Sequence, residues 1–508
     1  MKEYRLSIYR HDPSVEGSGR HVDYTLSTGA RLKVLDALDA VSKEYDADIA
    51  YRASCLMGRC GSCAVMLNGK AVLACQAQVE PGDSRIEPLR GYPLVRDLLI
   101  DRTPHEHVLT SARAHLEDSG FARPATFTYG KDLYSLTLCI DCLVCQASCP
   151  ARNEVPADFA GPAVMTQLAR YARDPRDQGA RPATALMEGL HSCTSCMMCS
   201  EVCPKGIDVF GQAILALRKG AVNSRLPAPK VQDDMTEMFR QTRLALPKSG
   251  PLLVDELDNA GCTRGDVAVF LGCMFQVRHK EDGRALLDVL SDAGYSPVIP
   301  KGLVCCGGPL LWTGHEEEAR QAAAENVRIL NDTGASRVIT ACAGCGLAWN
   351  KEYLKLLEGT GLSPRFQVLD VSRVMVAGES SPQEGSSEAC TAHAASKASG
   401  AGRCGYFLPC HIRSQGAAGD ARHAAERRIL SSGGTLVPVD FPECCGGMSA
   451  SADPQLASRL AAKVIAVAEQ QAMDTIVTSC PFCVENLARG ARRARSKVRI
   501  AHLLGISK

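Results

Sequence analysis

The chain is poor in aromatic side chains: Phe, Trp and Tyr make up 5% of 508 residues, with only 2 tryptophans. An excess of one charge is missing too. Lys and Arg number 57 against 56 Asp and Glu, a formal net charge of +1. That balance argues against a nucleic-acid binder that works by bulk charge. No apolar run approaches the roughly 18 residues of a membrane span. The opening MKEYRLSIYR has no apolar export core, so a soluble protein of a reducing compartment is expected. That means the cytoplasm, with the inner face of a membrane as a peripheral station. Nucleotide motifs are absent as well. Gly400, Gly402 and Gly405 match G-x-G-x-x-G only formally. A low-complexity stretch precedes them and a strand-like run follows, whereas a dinucleotide site needs a strand before and a helix after. No cofactor-binding site other than metal is therefore assigned to the chain.

Cysteine is what the sequence has in excess, 25 residues in all. Most sit in tight clusters that read as metal ligands rather than as spaced disulfide staples. Hydrophobic residues at 45% allow sizeable cores, and the length suits roughly three to four domains. Residues 4–26 read as a hairpin. Val34, Leu35, Leu38 and Val41 mark a helix, and Asn68-Gly69 marks a second hairpin. Together they delimit a small mixed domain over 1–105. Short helices are expected over 106–225 and a connecting segment over 226–266. Apolar runs ending in cysteine, VAVFLGC (267–273) and RVITAC (337–342), each followed by a helical pattern, point to α/β structure. Residues 376–403 are rich in Ser, Ala and Gly and read as a flexible linker.

Cys55-x4-Cys60-x2-Cys63, with Cys75 beyond, has the spacing of a plant-type [2Fe–2S] site. The glycine-containing loop can wrap three thiolates round one core while the fourth arrives from a strand. Two runs of C-x2-C-x2-C-x3-C-P follow, at Cys139, Cys142, Cys145, Cys149 and at Cys193, Cys196, Cys199, Cys203. In two-cluster ferredoxins the fourth cysteine of such a run serves the other cluster. One [4Fe–4S] cubane is therefore expected on Cys139, Cys142, Cys145 and Cys203, the other on Cys193, Cys196, Cys199 and Cys149.

The rest of the chain repeats itself. Cys273, the pair Cys305-Cys306 before Gly307, and Cys342-x-x-Cys345 recur at a nearly constant offset as Cys410, Cys444-Cys445 before Gly446, and Cys480-x-x-Cys483. The reading is two duplicated halves, 267–375 and 404–508, with five thiols each. Adjacent cysteines diverge and suit a cluster larger than one metal ion. The following glycine is expected to let the backbone pass close to that cluster. Structural zinc, or a vestigial half that binds nothing, is the alternative. Cys262, Cys390 and Cys404 are left over as bystanders. Arg489, Arg492, Arg493, Arg495, Lys497 and Arg499 read as a solvated helix face.

These motifs carry a resemblance. VLDAL (34–38), SCLMGRCGSCAVMLNGKAVLAC (54–75), YPLVRDL (92–98), CIDCLVCQASCP (139–150), GPAVMTQLARYARDPRD (161–177) and CPKGID (203–208) resemble the iron–sulfur subunits of succinate dehydrogenases and fumarate reductases. The resemblance implies a β-grasp [2Fe–2S] domain and a helical two-cluster ferredoxin domain, docked on a separate FAD subunit. Quinone-linked members usually lack the cysteine that stands here as Cys196, and have tryptophan where this chain has Tyr171. Residues 267–508 resemble the CCG-domain proteins, chiefly the B subunits of heterodisulfide reductases. Related halves occur in glycolate oxidase and anaerobic glycerol-3-phosphate dehydrogenase. The two modules in this order resemble the B subunits of the thiol:fumarate reductases.

The expected fold class is thus α+β multidomain, ending in duplicated α/β CCG domains. The expected function is a wire from partner FAD through one [2Fe–2S], two cubanes and two CCG-type, non-cubane [4Fe–4S] clusters to a thiol/disulfide couple. Cys410, His411, Cys444, Cys445, Cys480 and Cys483 are the expected catalytic set. His411 stands beside Cys410 where the first half has Met274, and could move a proton as sulfur is released. The alternative ends are a quinone on a membrane partner, or a glycolate or glycerol-3-phosphate dehydrogenase-type subunit. A zinc-stabilised scaffold without redox chemistry is the alternative of another kind.

Overall fold

The computed structural model describes residues 1–17, 19–117, 130–248, 250–257, 265, 267–377 and 402–506. Cys262, Cys390, Gly400 and most of the expected linker lie outside the described residues. The ends of that stretch are regular: Val371–Ala377 is a helix and Arg403–Tyr406 a strand. The chain divides into two compact units. One comprises 1–193 with 197–221; the other comprises 222–508 with 194–196.

The first unit opens with the strands Lys2–Arg10 and Arg20–Thr28, antiparallel in full register from Lys2 opposite Thr28 to Arg10 opposite Arg20. Lys2–Arg10 also pairs in parallel with Gly82–Glu87, which lies against the hairpin Ala64–Leu67 and Lys70–Leu73. That hairpin turns on Asn68 and Gly69, both with positive φ, as a tight two-residue turn requires. The helix Val34–Glu44 crosses this five-stranded sheet and buries Val34, Ala37, Leu38 and Val41. Against them pack Tyr4, Leu6 and Ile8, whose alternation along the strand puts one face inward.

A short antiparallel pair, Leu94–Arg96 with Leu99–Ile100, follows, and the chain is then helical, from Thr103–Ser111 to Ala216–Asn223. Its two cysteine runs share one backbone signature. Asp141 and Leu143 have φ of 48° and 66°; Ser195 and Met197, at the same places in the second run, have 55° and 62°. Each left-handed non-glycine residue costs on the order of 1–2 kcal/mol, so the same local shape is imposed twice against its own preference.

The second unit contains two all-parallel four-stranded sheets. One is made of Val267–Val269, Pro297–Val298, Arg337–Thr340 and Gln367–Asp370; the other of Arg403–Tyr406, Thr435–Leu436, Thr475–Thr478 and Arg499–His502. Numbered within each half, the strands lie in the order 2-1-3-4 in both. The duplication seen in the cysteines is therefore a duplication of topology. The segment before it is more than a connection. The amphipathic helix Lys230–Thr242 buries Phe239, and the Arg243 carbonyl after it accepts the Cys305 N–H at 3.0 Å.

Candidate iron–sulfur centres

The first set of thiols sits on a loop with positive φ at Leu56, Gly58 and Gly61. That curl turns the N–H groups of Arg59 and Cys60 onto the Cys55 sulfur, at 3.2 and 3.3 Å. N–H groups aimed at sulfur suit a thiolate that shares its charge with iron. Cys60 is exposed, and the Ser62 hydroxyl, 3.2 Å from its sulfur, helps hold its pKa down to about 6. Burial pushes Cys63 up to about 11, and Cys75 lies beside it. The loop also meets the next site. A side chain on Gly61 would run into the Ile140 carbonyl oxygen and sit 3.0 Å from the Cys142 Cα.

Cys139, Cys142, Cys145 and Cys203 line a single cavity, together with Ile140, Leu143, Ile207 and Val209. These are the four thiols that the crossed pairing of two-cluster ferredoxins assigns to one cubane. Burial pushes Cys139 up to about 11, Cys142 to about 12, and Cys145 well above the ordinary thiol value. Four thiols around one largely apolar cavity, Cys142 buried and the other three partly so, need cationic partners to ionise, which iron would supply. Asp141, between two of these cysteines, is clamped from outside. Arg102 Nη2 donates to its carboxylate at 2.8 Å and to its carbonyl at 2.7 Å, while the buried His105 Nε2 lies 2.9 Å from its other oxygen.

The thiol set expected for the second cubane carries similar features. The Arg152 N–H donates to the Cys149 sulfur at 3.4 Å. Cys193 and Cys199 fall in the first unit with Cys149, and Thr194, Ser195 and Cys196 are buried.

The duplicated halves bring all ten of their thiols into one file. Cys273 neighbours Cys305, at 3.9 Å, and Cys305 neighbours Cys306. Cys306 meets Cys345, which meets Cys342. Cys342 then meets Cys480 of the other half, and from Cys480 the file runs through Cys483, Cys445 and Cys444 to Cys410. Nine of the ten are buried and Cys410 is partly so. Each C-x-x-C pair opens a helix: Cys342 caps Ala343–Leu347 and Cys480 caps Pro481–Ala494. The N–H groups of Gly446 and Gly447 donate to Cys444 and Cys445, both at 3.3 Å. The donor set suits clusters whose irons are spread over adjacent cysteines. Among the described residues no three His, Cys, Asp or Glu side chains converge as ligands of one metal ion.

Other residues hold these loops, and spacing gave no sign of them. Asn326, fully buried, accepts from the Val304 N–H at 2.9 Å and donates to the Cys305 carbonyl at 3.2 Å. Tyr353 donates to the Cys306 carbonyl at 2.9 Å. In the second half Asn486, from a different helix, donates to the Cys445 carbonyl at 2.6 Å. The glycines after the cysteine pairs act differently from the expectation. A side chain on Gly307 would meet the Ala319 Cα at 3.1 Å, and one on Gly446 the Ala457 Cα at 3.0 Å. Their bareness lets a helix backbone approach, and both have positive φ. Cys404 is a buried strand residue outside the file. Arg492, Arg493, Arg495, Lys497 and Arg499 are exposed.

His411 is 5% exposed, with its ring centroid 4.5 Å from that of Trp312 and tilted at 57° to it. Its Nε2 lies 3.0 Å from the Ser195 carbonyl oxygen. A carbonyl only accepts, so Nε2 carries the ring proton. Burial holds the imidazole pKa below its ordinary value. The expected proton exchange is therefore confined to Nδ1, which faces Gly344. Met274, Trp312, Gly344 and Phe482 line an apolar pocket with Cys273, Cys306, Cys342 and Cys345.

Family models agree with this order of centres. A 2Fe-2S iron-sulfur cluster binding domain matches residues 5–107, a 4Fe-4S dicluster domain matches 135–207, and a cysteine-rich domain matches twice, at 267–349 and 404–488. The B subunit of the fumarate reductase (CoM/CoB) from Methanothermobacter marburgensis is 33% identical over 486 residues, 94% of this chain and 93% of that one. The uncharacterized iron-sulfur protein MJ0092 of Methanocaldococcus jannaschii is 33% identical over 477 residues, 92% of each. A crystal structure of a hypothetical protein from Helicobacter pylori shares the fold, with a TM-score of 0.62 and 12% identity over 99% of this chain and 94% of that one. Modules and thiols together define an iron–sulfur electron-transfer subunit of an oxidoreductase. Within that class, the chain belongs to the family of the fumarate reductase (CoM/CoB) B subunits. In these an iron–sulfur subunit of the fumarate reductase type is fused to a CCG module of the heterodisulfide reductase kind.

Proposed function

We propose that the chain carries electrons between a FAD-bearing partner subunit and a thiol/heterodisulfide couple, as the B subunit of a thiol:fumarate reductase. One [2Fe–2S], two [4Fe–4S] cubanes and two CCG-type clusters supply one-electron exchange when bound. The observation that carries the reading is the unbroken file of ten thiols joined at Cys342 and Cys480. Joining two thiols into a disulfide releases two protons and two electrons, and reducing fumarate to succinate takes up two of each. A couple of two electrons calls for two adjacent one-electron acceptors, and the two halves place their thiols side by side. Gly61, seated on Ile140 and Cys142, serves the other end by holding the first two thiol sets close. Asn326, Tyr353 and Asn486 fix the cysteine-pair backbones. The apolar pocket bounded by Met274, Trp312 and Phe482 excludes water beside the thiols.

The test is a Cys444→Ser or Cys445→Ser variant assayed two ways with the flavoprotein partner. Thiol-coupled fumarate reduction is lost, while reduction of fumarate by an artificial dye continues, because the dye feeds the flavin directly. Retention of thiol coupling would remove these cysteines from the reaction and favour a quinone on a membrane partner. Loss of both activities would mean that the cysteine is needed for assembly.

A further inference from the structure

The helical region holds a charge that no cysteine motif accounts for. Arg218 is 3% exposed, in the helix Ala216–Asn223 that also buries Leu217 and Ala221. A guanidinium stays protonated in proteins. Burying it costs several kcal/mol unless an opposite charge offsets the loss of water. Its Nη2 donates to the carbonyls of Cys193 at 2.8 Å and Leu190 at 3.1 Å. These two partners are dipoles, and the Cys193 thiol, one of the four thiols read as ligands of the second cubane, is an ionisable group that acts on it.

The backbone aims it there. Val209–Leu215 forms a π-helix immediately before the α-helix. Each π turn takes up an extra residue, which rotates the following side chains by about 100° against an unbroken α-helix. Such turns cluster at functional sites. The rotated register sets Arg218 against the turn Leu190–Ser192 that delivers Cys193.

We infer that Arg218 is the fixed positive charge that sets the reduction potential of the second cubane while tying down the turn that carries Cys193. The inference rests on the reading of Cys149, Cys193, Cys196 and Cys199 as ligands of a cubane. A thiolate-bound cluster has net negative charge and gains more on reduction. A cation held nearby in a low-dielectric surrounding favours the reduced form and raises the potential. Tethered to two carbonyls, the guanidinium cannot swing out to water, so its charge acts in both oxidation states.

The experiment uses the full chain, purified without oxygen, as wild type, Arg218→Met and Arg218→Lys. Iron and sulfide are counted, and the clusters are titrated by potential with EPR detection. In Arg218→Met one cubane wave moves to lower potential, while the other cubane and the [2Fe–2S] centre stay. Arg218→Lys keeps the charge and stays near wild type. If Arg218→Met loses iron, a wild-type wave in Arg218→Lys still supports the inference. An unmoved wave in iron-replete Arg218→Met overturns it. So does a shift in Arg218→Lys as large as in Arg218→Met, or loss of the cubane from both variants. A wild-type iron count too low for a second cubane would instead sink the cubane reading on which the inference stands.

Discussion

Cys342 and Cys480, the leading cysteines of the two C-x-x-C pairs, are immediate neighbours across the two halves of the CCG region. Each caps the N-terminus of its own helix, where the positive end of the helix dipole favours a thiolate. The two sets of five thiols therefore meet through two sulfurs of unlike character: contacts with Cys345 and Cys480 hold the Cys342 thiol well below its ordinary value, while Cys342 pushes the Cys480 thiol up.

If both halves are loaded, the chain holds about 18 irons, from one [2Fe–2S] and four [4Fe–4S] centres. Anaerobic iron and sulfide analysis checks this. A count near about ten would mean that only the first half of the chain binds iron.

Cys196 is the cysteine that distinguishes this chain from the quinone-linked iron–sulfur subunits it resembles. Its replacement by Ser is expected to convert the second cubane towards a three-iron centre with a higher potential, because one iron loses its thiolate. EPR of the oxidised variant should show a three-iron signal. An unchanged cubane would mean that Cys196 is not a ligand.

Asp141 joins Arg102 and His105 to the loop of the first cubane. Asp141→Ala removes both partners' acceptor and leaves the buried His105 without it, a cost of about 1–3 kcal/mol. It also strains a left-handed position that Asp tolerates better than Ala. Cluster absorbance should bleach faster in an iron chelator, with Asp141→Asn in between. Equal bleaching in all three proteins would show that the clamp is idle.

Asp370, 7% exposed at the end of its strand, accepts from the Ser372 N–H at 3.0 Å, and burial raises its pKa to about 6. The neutral form is thus the one that the fold prefers. Its favourable contribution is complete below the unfolded pKa, near about 4, and is lost as pH rises through about 6. Asp370→Asn should therefore stabilise the protein at pH 8 relative to wild type, by on the order of 2–3 kcal/mol, read as a higher melting temperature, and have little effect at pH 4. A gain that does not change with pH would place the effect elsewhere.

The thiols were legible because their spacing is fixed by the objects they surround. A C-x2-C-x2-C run needs no long-range knowledge, and the repeat announced two equal sheets before any strand was placed. The hairpin at Asn68-Gly69 was legible for a similar reason, since the turn dictates its own residues. Asn326, Asn486, Tyr353 and Arg218 could not be read in the same way. Each occupies a helix with no local motif, and its importance arises only when the fold brings it to a loop from another part of the chain. Gly307 and Gly446 were legible as constrained glycines, but the neighbour that constrains them, a helix backbone, was not. His411 was picked out by its place beside Cys410, while the carbonyl of Ser195, more than 200 residues away, fixes its tautomer.

Gly61 leaves no gap between the loop of Cys55–Cys63 and the turn that carries Ile140 and Cys142. The seam has a consequence for survival in air. The two loops touch through bare backbone, so an oxidant that opens either loop takes a neighbour from the other. Damage to the [2Fe–2S] loop and to the first cubane loop should then be inherited together, as a single lesion rather than two.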